Sequence, residues 1–236
     1  MGACAGRADG YQKAMRTRYF LAMLAGWAIL APGSRAAELD MAPVKAWIEH
    51  ARTVKTVAAD FRQERFLRAV AKPLVAQGKF WYKAPGAMRW QLGEPPRLIL
   101  LRPGDAKGSV RLIDTQAKTV RPLSEELSKD QGGLVAFLDA GFPASVESFQ
   151  EMIRISSIDR ADGIARVTGH LRDSRLAVAV MKMVFVLDET KRGLTGVEVW
   201  LRDGSKIINH FLNVQENAAA PEDLFKVPAE GFSEEK

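Results

Sequence analysis

GKFWYKAPGAMRWQLGEPPRLIL, residues 78–100, sets apolar residues at every second position and cuts them into short runs. Phe80 and Tyr82 fall on one face of an extended chain, and Met88, Trp90 and Leu92 alternate with Arg89 and Gln91. Period two belongs to a half-buried β-strand, because successive side chains point to opposite faces. Pro85-Gly86 and Glu94-Pro95-Pro96 break the runs where a chain turns back on itself. The stretch therefore reads as consecutive hairpin strands. It carries a large apolar surface and no nucleophile, which suits a container for an apolar ligand as well as it suits an ordinary β core.

The same period extends outward. Val197, Val199 and Leu201 alternate with Glu198, and Gly-, Pro- and Asp-rich turns at 102–108, 114–118, 159–163, 188–193 and 202–204 separate the runs. These spacings predict a many-stranded antiparallel sheet. In VAVMKMVFVLD, residues 178–188, Ala179, Met181, Met183, Phe185 and Leu187 form one face and Val178, Val180, Lys182, Val184 and Val186 the other. Methionine adapts to variable shapes, so Met181, Met183 and Phe185 are candidates for a binding face.

Helical spacing appears in three places. Over 39–62, Val44, Trp47, Ile48, Ala51, Ala58 and Phe61 stand three and four apart, which predicts one helix of about six turns, with Asp40 as its cap and Pro43 in its first turn. GGLVAFLDAGF (132–142) and SVESFQEMI (145–153) predict two short helices, and PEDLFKVPAEGF (221–232) predicts a closing turn and strand that wedges Leu224 and Phe225 into the body. Together these give an α+β fold. Helices gather on one face of a long sheet that must curl, which leaves an incomplete antiparallel β-barrel with an apolar cleft between sheet and helices.

The first 36 residues read differently. Arg16 and Arg18 precede a 13-residue apolar stretch, Tyr19 to Ala31, and then Pro32-Gly33 and Ser34-Arg35-Ala36. That order is expected of a secretory signal, and the stretch is shorter than the roughly 20 residues of a spanning helix. The expectation is removal of 1–36, a product beginning at Ala37 or Glu38 in the periplasm, and a single domain over 37–236. The segment holds five basic residues and one acidic one, so the net charge falls from +6 to +2 and the argument for a nucleic-acid partner falls with it. Cys4, the only cysteine, goes too, so neither disulfide nor thiolate chemistry is expected.

Catalytic patterns are missing. His50, His170 and His210 stand far apart without metal-ligand spacing, no G-x-S-x-G elbow occurs, and Gly78-Lys79 lacks the rest of a phosphate loop. Adjacent Glu125 and Glu126 point apart on any regular element and read as solvated charge. The expectation is a protein that is not an enzyme and that uses no cofactor and no metal.

VAADFRQERF with Phe61 and Gln63, GKFWYKAPGAMRW with Gly78, Pro85-Gly86 and Arg89-Trp90, PPRLIL, and finally PEDLFKVPAEGF occur in an order that resembles the LolA family of periplasmic outer-membrane lipoprotein carriers over about 40–232. The resemblance implies an unclosed barrel of about eleven strands with helices as a lid over an acyl-chain cavity. It implies a monomer that receives lipoprotein or lipid acyl chains from an inner-membrane ATP-driven release complex and delivers them to an outer-membrane receptor. Phe80, Tyr82 and Trp90, with Phe61 from the helix side, would contact the cargo; Met88, Met181, Met183 and Phe185 extend that lining. Members usually carry an arginine before the proline of the Pro-Gly turn, holding the lid; Ala84 stands there in this chain. RPGDAKGSVRLID, 102–114, also replaces a short Asp-Gly turn followed by aromatic residues. A periplasmic sensor or interaction domain on the same scaffold is the alternative, and the missing lipid-accepting cysteine argues against an outer-membrane receptor.

Overall fold

The computed structural model describes residues 39–104, 110–123, 143–227 and 231–234. The chain divides into residues 1–38 and a second unit from Leu39 onward, and the description concerns the second. Helix α1 (Ala42–Ala51) leads into strands β1 (Thr56–Phe66), β2 (Leu74–Lys83), β3 (Ala87–Leu92), β4 (Leu98–Arg102), β5 (Arg111–Asp114) and β6 (Thr119–Pro122). Helix α2 (Val146–Met152), β7 (Ile153–Ala161), β8 (Ile164–Leu171), the short α3 (Ser174–Ala177), β9 (Val180–Asp188), β10 (Gly193–Leu201) and β11 (Lys206–Glu216) follow. A 3₁₀ turn (Glu222–Phe225) and β12 (Ser233–Glu234) come last.

Among the described residues, the twelve strands lie in one sheet, ordered β12-β6-β5-β4-β3-β2-β1-β11-β10-β9-β8-β7. Two meanders, β1 to β6 and β7 to β11, join where β1 pairs antiparallel with β11. The other pairings are antiparallel too, except that the two-residue β12 runs parallel to β6. β7 and β12 are the free edges, so the barrel stays unclosed and the α+β expectation holds. Hairpins account for the pattern, since antiparallel neighbours need only the short turns that the Pro-Gly and Asp-rich breaks supply.

The N-terminal helix is shorter than its spacing predicts. Asp40 Oδ1 accepts from the Ala42 amide at 3.0 Å, Pro43 sits in the first turn, and Val44, Trp47 and Ile48 are buried. The helix ends at Ala51, where the Thr53 hydroxyl and amide both turn back to the His50 carbonyl. Ala58 and Phe61 belong to β1, not to the helix. Thr56 and Val57 open a run that β2 and β11 pair on both sides, and that pairing outweighs a chance three-residue spacing. The second central helix is present as α2: Ser145 Oγ accepts from the Ser148 amide at 3.1 Å, and Ser148 Oγ accepts from the Ser145 amide at 2.9 Å. The helix expected at 132–142 lies outside the described residues.

The main core fills the face of the sheet that carries α1 and α2. Trp47, Phe149 and Phe185 meet there from α1, α2 and β9, with centroids 5.6 Å (Trp47–Phe149), 6.0 Å (Trp47–Phe185) and 5.2 Å (Phe149–Phe185) apart. Each buried ring of this kind is worth about 1.5–3 kcal/mol, enough to hold two short helices that would not persist alone. On the opposite face Ile99, Leu101, Ile113 and Val120 are covered by Val227 and Phe232. The closing turn behaves as its sequence predicts, with Phe225 buried, Leu224 half-buried and the Leu224 carbonyl accepting from Arg89 Nη1 at 3.4 Å, whereas the strand comes at Ser233–Glu234, just past the predicted stretch.

Candidate functional site: an apolar cleft under the first helix

Between α1 and the strands β1, β2, β10 and β11 lies a cleft of about 740 Å³. Its wall is apolar: Trp47, Val54, Val57, Phe80, Leu194 and Phe211 supply most of it. Polar groups sit at the lip, in His50, Glu216, Asn213, Lys191 and Arg192. Two bulges shape the sheet here. Opposite Ala59 of β1, β11 carries both Asn213 and Val214, with Asn213 at φ +51° and its Nδ2 donating to Asp60 Oδ2 at 2.9 Å. On β10 an extra Thr195 stands between the pairs Leu194–Leu187 and Gly196–Val186, its hydroxyl donating to the Val186 carbonyl at 3.1 Å. Bulges bend a strand and strengthen its twist, which opens the sheet around a space instead of closing it on a packed core.

Contacts at both ends tie α1 over this space. Arg160 on β7 donates to Asp40, just before the helix, at 2.7 Å, and also holds Glu189. Its hydrogen bonds to Glu189, and then to Asp40, push its guanidinium further up in pKa. At the other end His50 Nε2 meets Glu216 Oε2 at 2.8 Å, linking the last turn of α1 to the end of β11. These pairs are largely solvent-exposed, each worth no more than about 1 kcal/mol, so they position the helix without locking it.

Beneath the cleft the aromatic residues of β1, β2, β3 and β11 form one group. Phe61 stacks on Trp90 at 3.9 Å, Phe80 lies 5.8 Å from Trp90, and Phe211 stands edge-on to Trp90 at 6.1 Å. Of the residues singled out in the sequence, Phe80 lines the cleft, whereas Phe61, Met88 and Trp90 are packed in the core under it. Met183 and Phe185 are buried on β9 against the helices, and Tyr82 is half-buried at the end of β2. Burial raises the Tyr82 phenol above its ordinary pKa, an effect the Arg102 charge partly offsets.

Met181 lies apart from these residues. Lys182 pairs with Trp200 and Val180 with Leu201, so Met181 is an extra residue on β9. The bulge brings Val180 onto the core face beside Met183 and leaves Met181 41% exposed, which a strict alternation over 178–188 does not allow for. Ala84 is exposed in the β2–β3 turn, where its amide donates to the Lys55 carbonyl at 2.8 Å. Sequence reasoning missed Phe211, Leu194 and Val214. The period-two run Ile207, Asn209, Phe211 in KIINHFLNV carried the signal for Phe211, but nothing local announces the bulges that aim Val214 and Thr195.

The three histidines serve separate ends: His50 pairs with Glu216, His170 Nδ1 lies 2.9 Å from the Met181 carbonyl, and His210 is exposed on β11 opposite Arg62. Among the described residues no three His, Cys, Asp or Glu side chains come together as metal ligands. No helix among them is long and apolar enough to cross a membrane.

Residues 52–228 match the family described as "Outer membrane lipoprotein carrier protein LolA". No curated protein sequence matches the chain. Solved structures with a similar fold include a LolA superfamily protein from Nitrosomonas europaea, 8% identical, covering 77% of this chain and 96% of that one with a TM-score of 0.44. Another is an uncharacterised conserved protein from Thermus thermophilus, 7% identical, covering 80% of this chain and 97% of that one with a TM-score of 0.48.

Proposed function

We propose that this chain, which belongs to the LolA family of outer membrane lipoprotein carrier proteins, is a periplasmic carrier that holds acyl chains in the cleft under α1. The observation that carries the reading is the wall of that cleft: Trp47, Val54, Val57, Phe80, Leu194 and Phe211 face a space of about 740 Å³ whose charged lining residues, Lys191, Arg192 and Glu216, are exposed. Each methylene moved from water into such a space contributes about 0.8 kcal/mol, so an acyl chain crossing an aqueous compartment gains much by entering. A wall without polar anchors also keeps release fast enough for delivery.

In this reading the chain performs no covalent step and needs no cofactor. Residues 1–36 direct export and are removed, and cargo passes from an inner-membrane ATP-driven complex to an outer-membrane receptor. Phe61, Met88 and Trp90, packed in the core, support Phe80 from below, and Met183 and Phe185 support Trp47. Tyr82 and Ala84 stand beside the cargo path, on β2 and in the turn that follows it.

The test is displacement of an environment-sensitive apolar dye by a myristoylated or palmitoylated peptide. Leu194→Glu, which puts a carboxylate in the wall, is expected to weaken binding at least tenfold while the strand-rich circular dichroism is kept, since a buried carboxylate in apolar surroundings costs more than about 1.4 kcal/mol. Unchanged binding in a folded Leu194→Glu protein contradicts the reading.

A further inference from the structure

The lip of the cleft points to a narrower ligand class. We propose that the acyl chain taken by the cleft carries an anionic head group, a carboxylate or a phosphate, and that Arg192 receives it. The inference rests on the acyl-chain reading of the cleft and adds the chemistry of the ligand's polar end.

Arg192 lines both the cleft and a smaller adjoining hollow of about 160 Å³ beside Pro43, Ala46, Trp47, Leu187, Asp188 and Glu189. It is exposed, and among the described residues it makes no hydrogen bond and no ion pair. The carboxylates near it are engaged elsewhere. Glu216 holds His50 at 2.8 Å, Asp188 accepts the amides of Thr190 and Lys191 at 2.9 and 3.0 Å, and Glu189 is held by Arg160. The guanidinium therefore stands at the mouth of an apolar space with Asp188 and Glu189 beside it but, among the described residues, without an ion pair of its own.

The backbone under Arg192 is fixed. Asp188 closes the β9–β10 turn through those two amides, Arg192 takes the left-handed conformation at φ +53°, and the Glu189 amide donates to the Gly163 carbonyl at 2.9 Å. A guanidinium on a fixed turn presents a planar fork that matches two oxygens of a carboxylate or phosphate, which an ammonium does not. Lys191, with 80% of its side chain exposed and its Nζ 3.9 Å from Asp188, adds positive charge to the same lip without being held in place. An apolar slot with an arginine free of an ion pair at its entrance fits an amphiphile whose anion stays in water while its chain goes in.

The experiment compares three ligands of equal chain length, laurate, dodecyl phosphate and dodecanol, as displacers of a bound apolar dye, with inorganic phosphate as a fourth arm. Against the parent protein the two anions are expected to bind about two- to fivefold more tightly than dodecanol, the range of an exposed ion pair, and the preference should shrink as salt is raised. Arg192→Gln removes the preference and Arg192→Glu inverts it, each read as the ratio of anion to dodecanol binding within the same variant, with circular dichroism reporting that the fold is intact. A larger effect on dodecyl phosphate than on laurate assigns the site to phosphate head groups, and the reverse to carboxylates. Displacement by inorganic phosphate alone, equal binding of all three amphiphiles by the parent protein, or a preference that survives in Arg192→Gln overturns the inference and leaves the acyl-chain reading standing. Failure of dodecanol and both anions to displace the dye overturns the two together.

Discussion

Phe61 lies flat across the backbone of Gly78, its cross-strand partner: a Cβ on Gly78 would stand 2.2 Å from Phe61 Cζ and 2.2 Å from the Gln91 carbonyl oxygen. The missing side chain is what lets the Phe61 ring settle against Trp90 at 3.9 Å and support the floor beneath the cleft. Glycine weakens a strand in general, and here an aromatic ring from the neighbouring strand covers the gap it leaves.

Gly78→Ala is therefore expected to destabilise the protein by about 1–3 kcal/mol, the range for over-packing a closed site, and to shift Trp90 fluorescence. Gly86→Ala is the control, because nothing lies within 4 Å of a Cβ there, and it should stay within about 0.5 kcal/mol of the parent. Urea unfolding midpoints for the two variants check this; equal midpoints would separate the Phe61–Gly78 contact from stability.

Phe149→Ala should cost about 3–5 kcal/mol, since the ring is fully buried and touches both Trp47 and Phe185. The loss should release two helices at once. Hydrogen exchange is expected to quicken in α1 and α2 together while β1 and β2 keep their protection, and quickening in α2 alone would mean that Trp47 holds α1 without it.

Gln63 and Asn209 face each other across β1 and β11 in the core, where Gln63 Nε2 donates to Asn209 Oδ1 at 3.0 Å and Asn209 is 1% exposed. Removing one partner strands the other, so Asn209→Leu is expected to cost about 1–3 kcal/mol. Replacing both, Gln63→Met with Asn209→Leu, should cost less than the sum of the single changes, and a double-mutant cycle in denaturant reads the difference.

Much of this architecture was legible because strands such as β2 and β3 bury mainly one face, and a one-sided strand prints its burial in the sequence at period two. Phe61 was not, since a central strand with Ala58 three residues away also satisfies a helical spacing, and only pairing with β2 and β11 decides between them. Met181 was misplaced for a different reason: a single bulged residue reverses every assignment beyond it, and bulges depend on the partner strand. The aromatic residues of the site were found as a cluster, yet their division into cleft wall and packed floor depends on where α1 crosses the sheet, and no local pattern encodes that crossing.

In a chain beginning at residue 37, Tyr82 is the only tyrosine, so its titration is read directly from ultraviolet absorbance. Burial holds its pKa above the ordinary value of about 10 in the folded state. The neutral phenol is thus favoured by folding. The stability it contributes is complete below the unfolded value and is lost as pH rises through the folded one. The absorbance midpoint should fall toward about 10 when the protein is unfolded in guanidinium. Equal midpoints in the folded and unfolded protein would mean that the end of β2 is open to water.

The most direct measurement of the central claim is photo-crosslinking of an acyl chain that bears a diazirine near its methyl end, mapped by mass spectrometry on the native protein. The account predicts adducts on residues of the cleft wall, Trp47, Val54, Val57, Phe80, Leu194 and Phe211, and their loss when unlabelled acyl peptide competes. Adducts concentrated instead on the exposed apolar residues Val70, Leu74, Val75 and Val178, or indifferent to competition, would contradict it.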